Sequence, residues 1–154
     1  MKTAEEIVLE KGGEIVSVTS GTSLYDALKL MVQKNVGSVV VMDAGEPKGI
    51  WTARNLMKDT LAEGFDPKAA GIERHMNACA CTAPHTDTIY DLMDKFLGLR
   101  TNHLLIEKEG RHIGLLSSGD VIKATIQDKT EELKKLNSMF SWQYYEEWRW
   151  KPRK

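Results

Sequence analysis

At 154 residues, 42% of them hydrophobic, the chain is long enough to bury roughly 68–70% of its unfolded surface, and one compact body is expected. Its 21 basic and 22 acidic residues are interleaved and leave a formal charge of -1, so no overall field favours nucleic acid or an anionic membrane, and neither partner is expected. No apolar run approaches the ~20 residues of a membrane span. The N-terminal MKTAEEIVLEKGG is too charged for a secretory signal, and the only cysteines, Cys79 and Cys81, are too close for a structural crosslink. A soluble cytoplasmic protein in a reducing compartment is therefore expected.

Along the chain, Ala4 to Glu10 read as an entry helix stopped by Gly12 and Gly13, and Glu14 to Val18 as a short strand. Thr22 or Ser23 then caps an amphipathic helix in which Leu24, Ala27, Leu28, Met31 and Val32 recur at helical spacing, ending near Val36 and Gly37. Ser38 to Met42 is a Val-rich run suited to a buried strand, and after a turn at Gly45 its hairpin partner is Gly49 to Trp51. Thr52 is the natural cap of the next helix.

Residues 61–75 carry the Pro and Gly punctuation of a connection, ending in a short helix at Ile72 to Met76. The pattern then begins again. A strand at Ala80 to Thr82 leads to a helix capped by Asp87 or Thr88, with Ile89, Leu92, Met93, Phe96 and Leu97 on its apolar face, ending near Arg100 and Thr101. A strand at His103 to Ile106, a turn at Gly110, a strand at Ile113 to Leu116 and a helix capped by Ser117 follow. That last helix runs on through IQDKTEELKKLNSMF into an aromatic and basic tail.

Residues 23–60 align without a gap onto 88–125, an offset of 65. Identities are few, among them Tyr25/Tyr90, Asp26/Asp91, Gly45/Gly110 and Gly49/Gly114, but the apolar pattern matches almost throughout. The expected fold is α/β (α+β): two β-α-β-β-α repeats packed with pseudo-two-fold symmetry, plus an extended C-terminal helix and tail. We divide the chain into repeat 1 with its entry helix at 4–62, a linker at 63–71, repeat 2 at 72–126, and the helix and tail at 127–154.

Gly49-Ile50-Trp51-Thr52-Ala53-Arg54-Asn55 and Gly114-Leu115-Leu116-Ser117-Ser118-Gly119-Asp120 spell one motif twice: glycine, two apolar residues, a hydroxyl, two variable residues, then an amide or acid. A strand delivered to a helix start with a hydroxyl there offers phosphate contacts, and the acid three residues on can accept from a ribose diol. The same letters also make an ordinary capping box; repetition at equal depth is what argues for more.

GIWTARN, GLLSSGD, RTNHLLI and the IERHM segment together resemble the cystathionine-β-synthase-type (CBS) domain pair, or Bateman module, over about residues 4–126. The resemblance implies a non-catalytic regulatory module that senses AMP, ADP, ATP, S-adenosylmethionine or NAD between its halves, with AMP, ADP, ATP or NAD the expected ligand, no catalytic cofactor and a homodimeric assembly; the regulated target is then a separate protein or the tail itself. It maps the ribose-binding acid to Asp120 and Asn55 and the hydroxyl to Ser117 and Thr52. It also places Val16, Ser38 and Val39 near the Asp120 site and Cys81, His103 and Leu104 near the Asn55 site, with Arg54, Arg100 and His103 holding phosphate. Because an amide at Asn55 cannot accept from both ribose hydroxyls as a carboxylate does, Asp120 is expected to form the tighter site.

Other chemistries are less well supported. His75, Cys79, Cys81 and His85 form H-x3-C-x-C-x3-H, which lacks the usual cysteine spacing of a zinc site, and no metal is assigned. No nucleophile beside a base, P-loop or paired catalytic carboxylates argue for an enzyme. The alternative function is a protein- or membrane-interaction module working through Phe140, Trp142, Tyr144, Tyr145, Trp148 and Trp150, with the CBS pair as scaffold. On the helix before them, Leu133, Leu136 and Phe140 share a face expected to pack on the body or on a second subunit.

Overall fold

The computed structural model describes residues 1–78 and 80–147, with side chains up to residue 139. Helix α1 (Ala4–Lys11) starts in a capping box between Thr3 and Glu6 and ends at Gly12 in a left-handed conformation. Repeat 1 contains β1 (Ser17–Val18), α2 (Leu24–Lys34), β2 (Ser38–Asp43), β3 (Glu46–Thr52) and α3 (Ala53–Asp59). A single 3-10 turn at Ile72–Arg74 leads to repeat 2: β4 (Thr82–Pro84), α4 (Ile89–Leu99), β5 (His103–Lys108), β6 (Arg111–Ser117) and α5 (Ser118–Glu147). No helix among the described residues is long and apolar enough to cross a membrane.

Each repeat folds into a three-stranded sheet, with the first strand parallel to the second and the second antiparallel to the third. The duplication reaches fine detail. Ser38 pairs with Thr52 as His103 pairs with Ser117, and a register shift follows Val41 in one hairpin and Ile106 in the other. Both hairpins close on two residues with positive φ, Ala44-Gly45 and Glu109-Gly110, the geometry whose twist matches the flanking strands.

The middle strands are apolar on both faces because both faces are covered. Val39 and Val41 point into the core of repeat 1 with Leu24, Ala27, Met31 and Trp51. Leu104 and Ile106 do the same in repeat 2 with Leu92, Phe96 and Leu116. The intervening Val40 and Leu105 meet, with Ile50, in a third cluster joining the repeats. This cluster is the seam of the pseudo-two-fold body.

The entry segments are exchanged. Helix α1, which precedes repeat 1, packs Ile7 and Val8 into the core of repeat 2, while Ile72, which precedes repeat 2, is buried in the core of repeat 1. Two glycines permit this. A Cβ on Gly49 would lie 2.3 Å from the Asn77 carbonyl oxygen, and one on Gly114 would lie 2.5 Å from Cγ1 of Val8.

Several boundaries differ from the sequence reading. Helix α2 stops at Lys34 because Asn35 takes the left-handed conformation (φ 52, ψ 48) and caps it. Strand β1 is limited to two residues, since pairing with β2 begins only at Ser17, and β4 is set later than expected, at Thr82–Pro84. The Ile72 to Met76 helix shrinks to one 3-10 turn, after which Asn77 pairs with Ile50. Leu133 and Leu136 are 59% and 49% exposed on α5, so they do not pack on the body as one reading of the tail held. The aromatic tail side chains from Phe140 onward lie outside the described residues.

A candidate ligand groove between the repeats

At the end of β3, Thr52 caps α3. Its amide and hydroxyl donate to Asn55 Oδ1 at 3.0 and 2.7 Å, and its hydroxyl accepts from the Asn55 amide at 3.2 Å. The equivalent Ser117 amide and hydroxyl donate to Asp120 Oδ2 at 2.8 and 2.9 Å. Both motifs are thus genuine capping boxes, and what distinguishes them is what else each side chain meets.

Asn55 opens onto a groove of about 800 Å³. Repeat 1 supplies Thr52, Arg54, Asn55 and Lys58, and repeat 2 supplies the loop from Arg100 to His103. Ile50, Met57 and Leu61 add an apolar wall, and Asn77 lies beside Asn55, whose Nδ2 is 3.4 Å from Asn77 Oδ1. The two parts are held in place by repeated backbone bonds, Ala53 N–H to the Gly37 carbonyl at 2.9 Å and Ser118 N–H to that of Asn102 at 3.0 Å. Of the residues read from sequence, Thr52, Arg54, Asn55, Arg100 and His103 converge here.

Asp120 is placed differently. Lys11 of α1 donates to Asp120 Oδ2 at 2.7 Å and to the Leu115 carbonyl at 3.0 Å. The adjoining cavity is only about 180 Å³ and is lined by Lys11 and Glu10 of α1 with Lys123 and Gln127 of α5. Burial pushes the Asp120 carboxyl up, but Lys11 and Ser117 outweigh it and hold the group below the usual carboxylate range. Ser117, Asp120 and Lys11 of α1 therefore form one partly exposed cluster in which the contacts to the carboxylate fall on Oδ2.

His103 sits between the two regions. Burial, followed by the Lys11 ammonium, holds its imidazole below the ordinary histidine range against the opposing pull of Asp120. This favours the uncharged ring near neutral pH, which can donate or accept a hydrogen bond in the groove.

The remaining sequence-read residues do not line the groove. Val39 and Leu104 are fully buried in their respective cores, and Ser38 is 7% exposed. Val16 and Cys81 pack against the two repeat cores. Conversely, the sequence reading did not name Lys58, Asn77, Thr101 or Asn102, which also line the groove; Asn77 directly follows IERHM, and Thr101 and Asn102 lie within RTNHLLI. His75 and His85 are held apart by different carboxylates, Asp59 at 3.2 Å and Glu5 at 3.0 Å; Cys79 lies outside the described residues.

Comparison with known proteins agrees with this architecture. The chain is 30% identical over 146 residues to the CBS domain-containing protein CBSX3, mitochondrial, of Arabidopsis thaliana, covering 88% of the chain and 70% of that protein. It spans 60% of a second relative, from Methanocaldococcus jannaschii, and 17% of a third, from Schizosaccharomyces pombe. Among solved structures, a protein with CBS domains from Burkholderia ambifaria superposes with a TM-score of 0.77 at 30% identity, over 82% of this chain and 96% of that one. A CBS domain protein of Pyrobaculum aerophilum complexed with AMP shares the fold at 17% identity and a TM-score of 0.67, over 77% of this chain and 89% of that one. Another CBS domain pair, in complex with 5′-methylthioadenosine and S-adenosyl-L-methionine, does so at 17% identity and 0.72, over 83% of this chain and 98% of that one. The CBS domain model itself matches residues 5–61 and 73–126, and the chain belongs to the CBS domain family, carrying the domain as a tandem pair.

Proposed function

We propose that this chain is a regulatory CBS pair that binds an adenosine nucleotide in the groove at Asn55 and converts occupancy into a change in the relative setting of its two repeats. The observation that carries the reading is convergence. Motif residues Thr52, Arg54 and Asn55 share one groove with Arg100 and His103 from the other repeat, so a ligand there touches both halves. Hydroxyl and amide groups, cations and an apolar wall together suit ribose, phosphate and base. Family structures solved with adenosine compounds support that ligand class. Because Asp120 is already engaged by Lys11, the Asn55 groove takes first place, reversing the order that carboxylate chemistry alone suggests.

The role is regulatory rather than enzymatic, in keeping with the CBS-domain relatives, and a separate protein is the regulated target. Charge balance and sparse cysteine use support a cytoplasmic setting. A homodimer is supported by apolar side chains left exposed at equivalent places, Tyr25 and Tyr90 at 40% and 45%, Val32 and Leu97 at 73% and 77%. Light scattering reads the assembly: a dimer that Val32→Glu with Leu97→Glu dissociates supports it, and a wild-type monomer rejects it. A thermal-shift panel of AMP, ADP, ATP and NAD tests the ligand, since a compound at 100 times its Kd adds about 2.7 kcal/mol. No shift with any of them removes the nucleotide reading.

A further inference from the structure

Acidic residues slightly outnumber basic ones in this chain, 22 to 21, yet no residue lining the groove is acidic, while Arg54, Lys58 and Arg100 all line it. None of these three cations forms an ion pair among the described residues. Elsewhere Lys2, Lys11, Lys34, Lys95 and Lys108 are each matched to a carboxylate, while others such as Arg74 and Arg111 form no ion pair among the described residues; what sets the groove apart is that three unpaired cations share one lining without an acid. Cations left together without a counter-charge repel one another, and a bound anion relieves that repulsion.

Two comparisons within the molecule point the same way. At the motif position where repeat 2 has Asp120, repeat 1 has Asn55, which preserves the helix cap and removes the negative charge. At the helix end where repeat 1 has Asn35, repeat 2 has Arg100 in nearly the same left-handed conformation, φ 50 and ψ 40. Asn is at ease in that conformation and Arg is not. The less suitable residue stands where its side chain lines the groove.

We infer that the groove selects its ligand by negative charge: it takes a nucleoside di- or triphosphate, gains its affinity from the phosphate chain more than from the ribose diol, and rejects adenosine compounds carrying a sulfonium cation. This rests on the nucleotide reading above. Arg54, Lys58 and Arg100 receive the phosphates, and Asn55 contributes as a neutral hydrogen-bonding group.

The test is calorimetric titration of the full chain, in magnesium-free buffer at two salt concentrations, with ATP, ADP, AMP, S-adenosylmethionine and inorganic tripolyphosphate. Affinity is expected to fall from ATP through ADP to AMP by tenfold or more overall, and ATP binding to weaken with salt. Tripolyphosphate is expected to compete with ATP, and S-adenosylmethionine to give no heat. Arg100→Asn, which installs the residue that repeat 1 uses in this conformation, should stay folded and lose most of the ATP-over-AMP preference; Asn55→Asp should weaken ATP several-fold. AMP binding as tightly as ATP, S-adenosylmethionine binding comparably, or an unchanged ATP-to-AMP ratio in folded Arg100→Asn overturns charge selection while leaving an adenosine site. Tripolyphosphate binding with no added affinity from adenosine keeps the anion site and overturns the nucleotide reading, and no binding by any compound overturns both.

Discussion

Gly49→Ala tests how the exchanged entry segments hold the molecule together. The new Cβ would lie 2.3 Å from the Asn77 carbonyl oxygen and 2.8 Å from Met76 Sδ. The nearest atom is backbone, so the 76–77 segment must lift off β3. Its departure threatens the paired bonds Ile50 N–H to Asn77 O at 3.0 Å and Asn77 N–H to Ile50 O at 2.8 Å. Overpacking of this kind costs about 1–3 kcal/mol and each of the two threatened hydrogen bonds about 0.5–1.5 kcal/mol, so a loss of about 2–6 kcal/mol is expected. For a chain of this size that lowers Tm by roughly 4–24 °C in a calorimetric scan. Gly98→Ala is the control: Gly98 lies in α4 with nothing within 4 Å of an added Cβ, and relief of the helix penalty should stabilise by roughly 0.5–1 kcal/mol. Ile50 and Asn77 also line the groove, so Gly49→Ala should weaken ATP binding as well. A Gly49→Ala protein with wild-type Tm would refute the seating of the linker on β3.

Three further outcomes follow from the same contacts. Arg100→Asn relieves a left-handed backbone at Arg100 and should raise stability by about 0.5–1 kcal/mol in urea denaturation, while ATP affinity falls; destabilisation would show that Arg100 is structural. Lys11→Ala removes the 2.7 Å contact to Asp120 and should cost about 1 kcal/mol or less at neutral pH, the pair being partly exposed. Because the folded Asp120 carboxyl is held below its ordinary value, this contribution is present above about pH 3.9 and disappears as pH falls through the folded value. The gap between wild type and Lys11→Ala should therefore narrow as pH falls, leaving only what the Lys11 bond to the Leu115 carbonyl contributes; a gap that does not narrow in acid contradicts the assignment. Trp51→Ala empties a fully buried site and removes the Nε1 donor to Asp59 Oδ2 at 3.0 Å, at a cost of about 3–5 kcal/mol, whereas a loss under 1 kcal/mol in chemical denaturation would show that repeat 1 collapses onto the gap.

The repeat was readable because apolar residues recur at the same spacings in both halves, and those spacings are what α2, α4 and the two hairpins bury. The exchange of entry segments was not. Ile7 and Ile72 are equally apolar in sequence, and nothing local says which repeat an entry segment covers; the clue was the pair Gly49 and Gly114, whose missing Cβ atoms make room for it. Of the residues named from the motif and the family resemblance, Thr52, Arg54, Asn55, Arg100 and His103 line one groove. Val39 and Leu104 are buried in the repeat cores instead, because an apolar run covered on both faces does not reveal in sequence which residues face a groove and which face the core. Lys58 was missed because a lysine late in a short helix looks like an ordinary solvated charge. The engagement of Asp120 by Lys11 joins residues 109 positions apart and depends on where α1 packs.

The most direct test of the central claim, that nucleotide occupies the Asn55 groove, is photolabelling of the intact chain with 8-azido-ATP followed by peptide mapping. Label within residues 50–61, 77 or 100–103, abolished by excess ATP, is predicted. ATP-protected label confined to residues 7–16 or 117–127, around Lys11 and Asp120, would contradict the account.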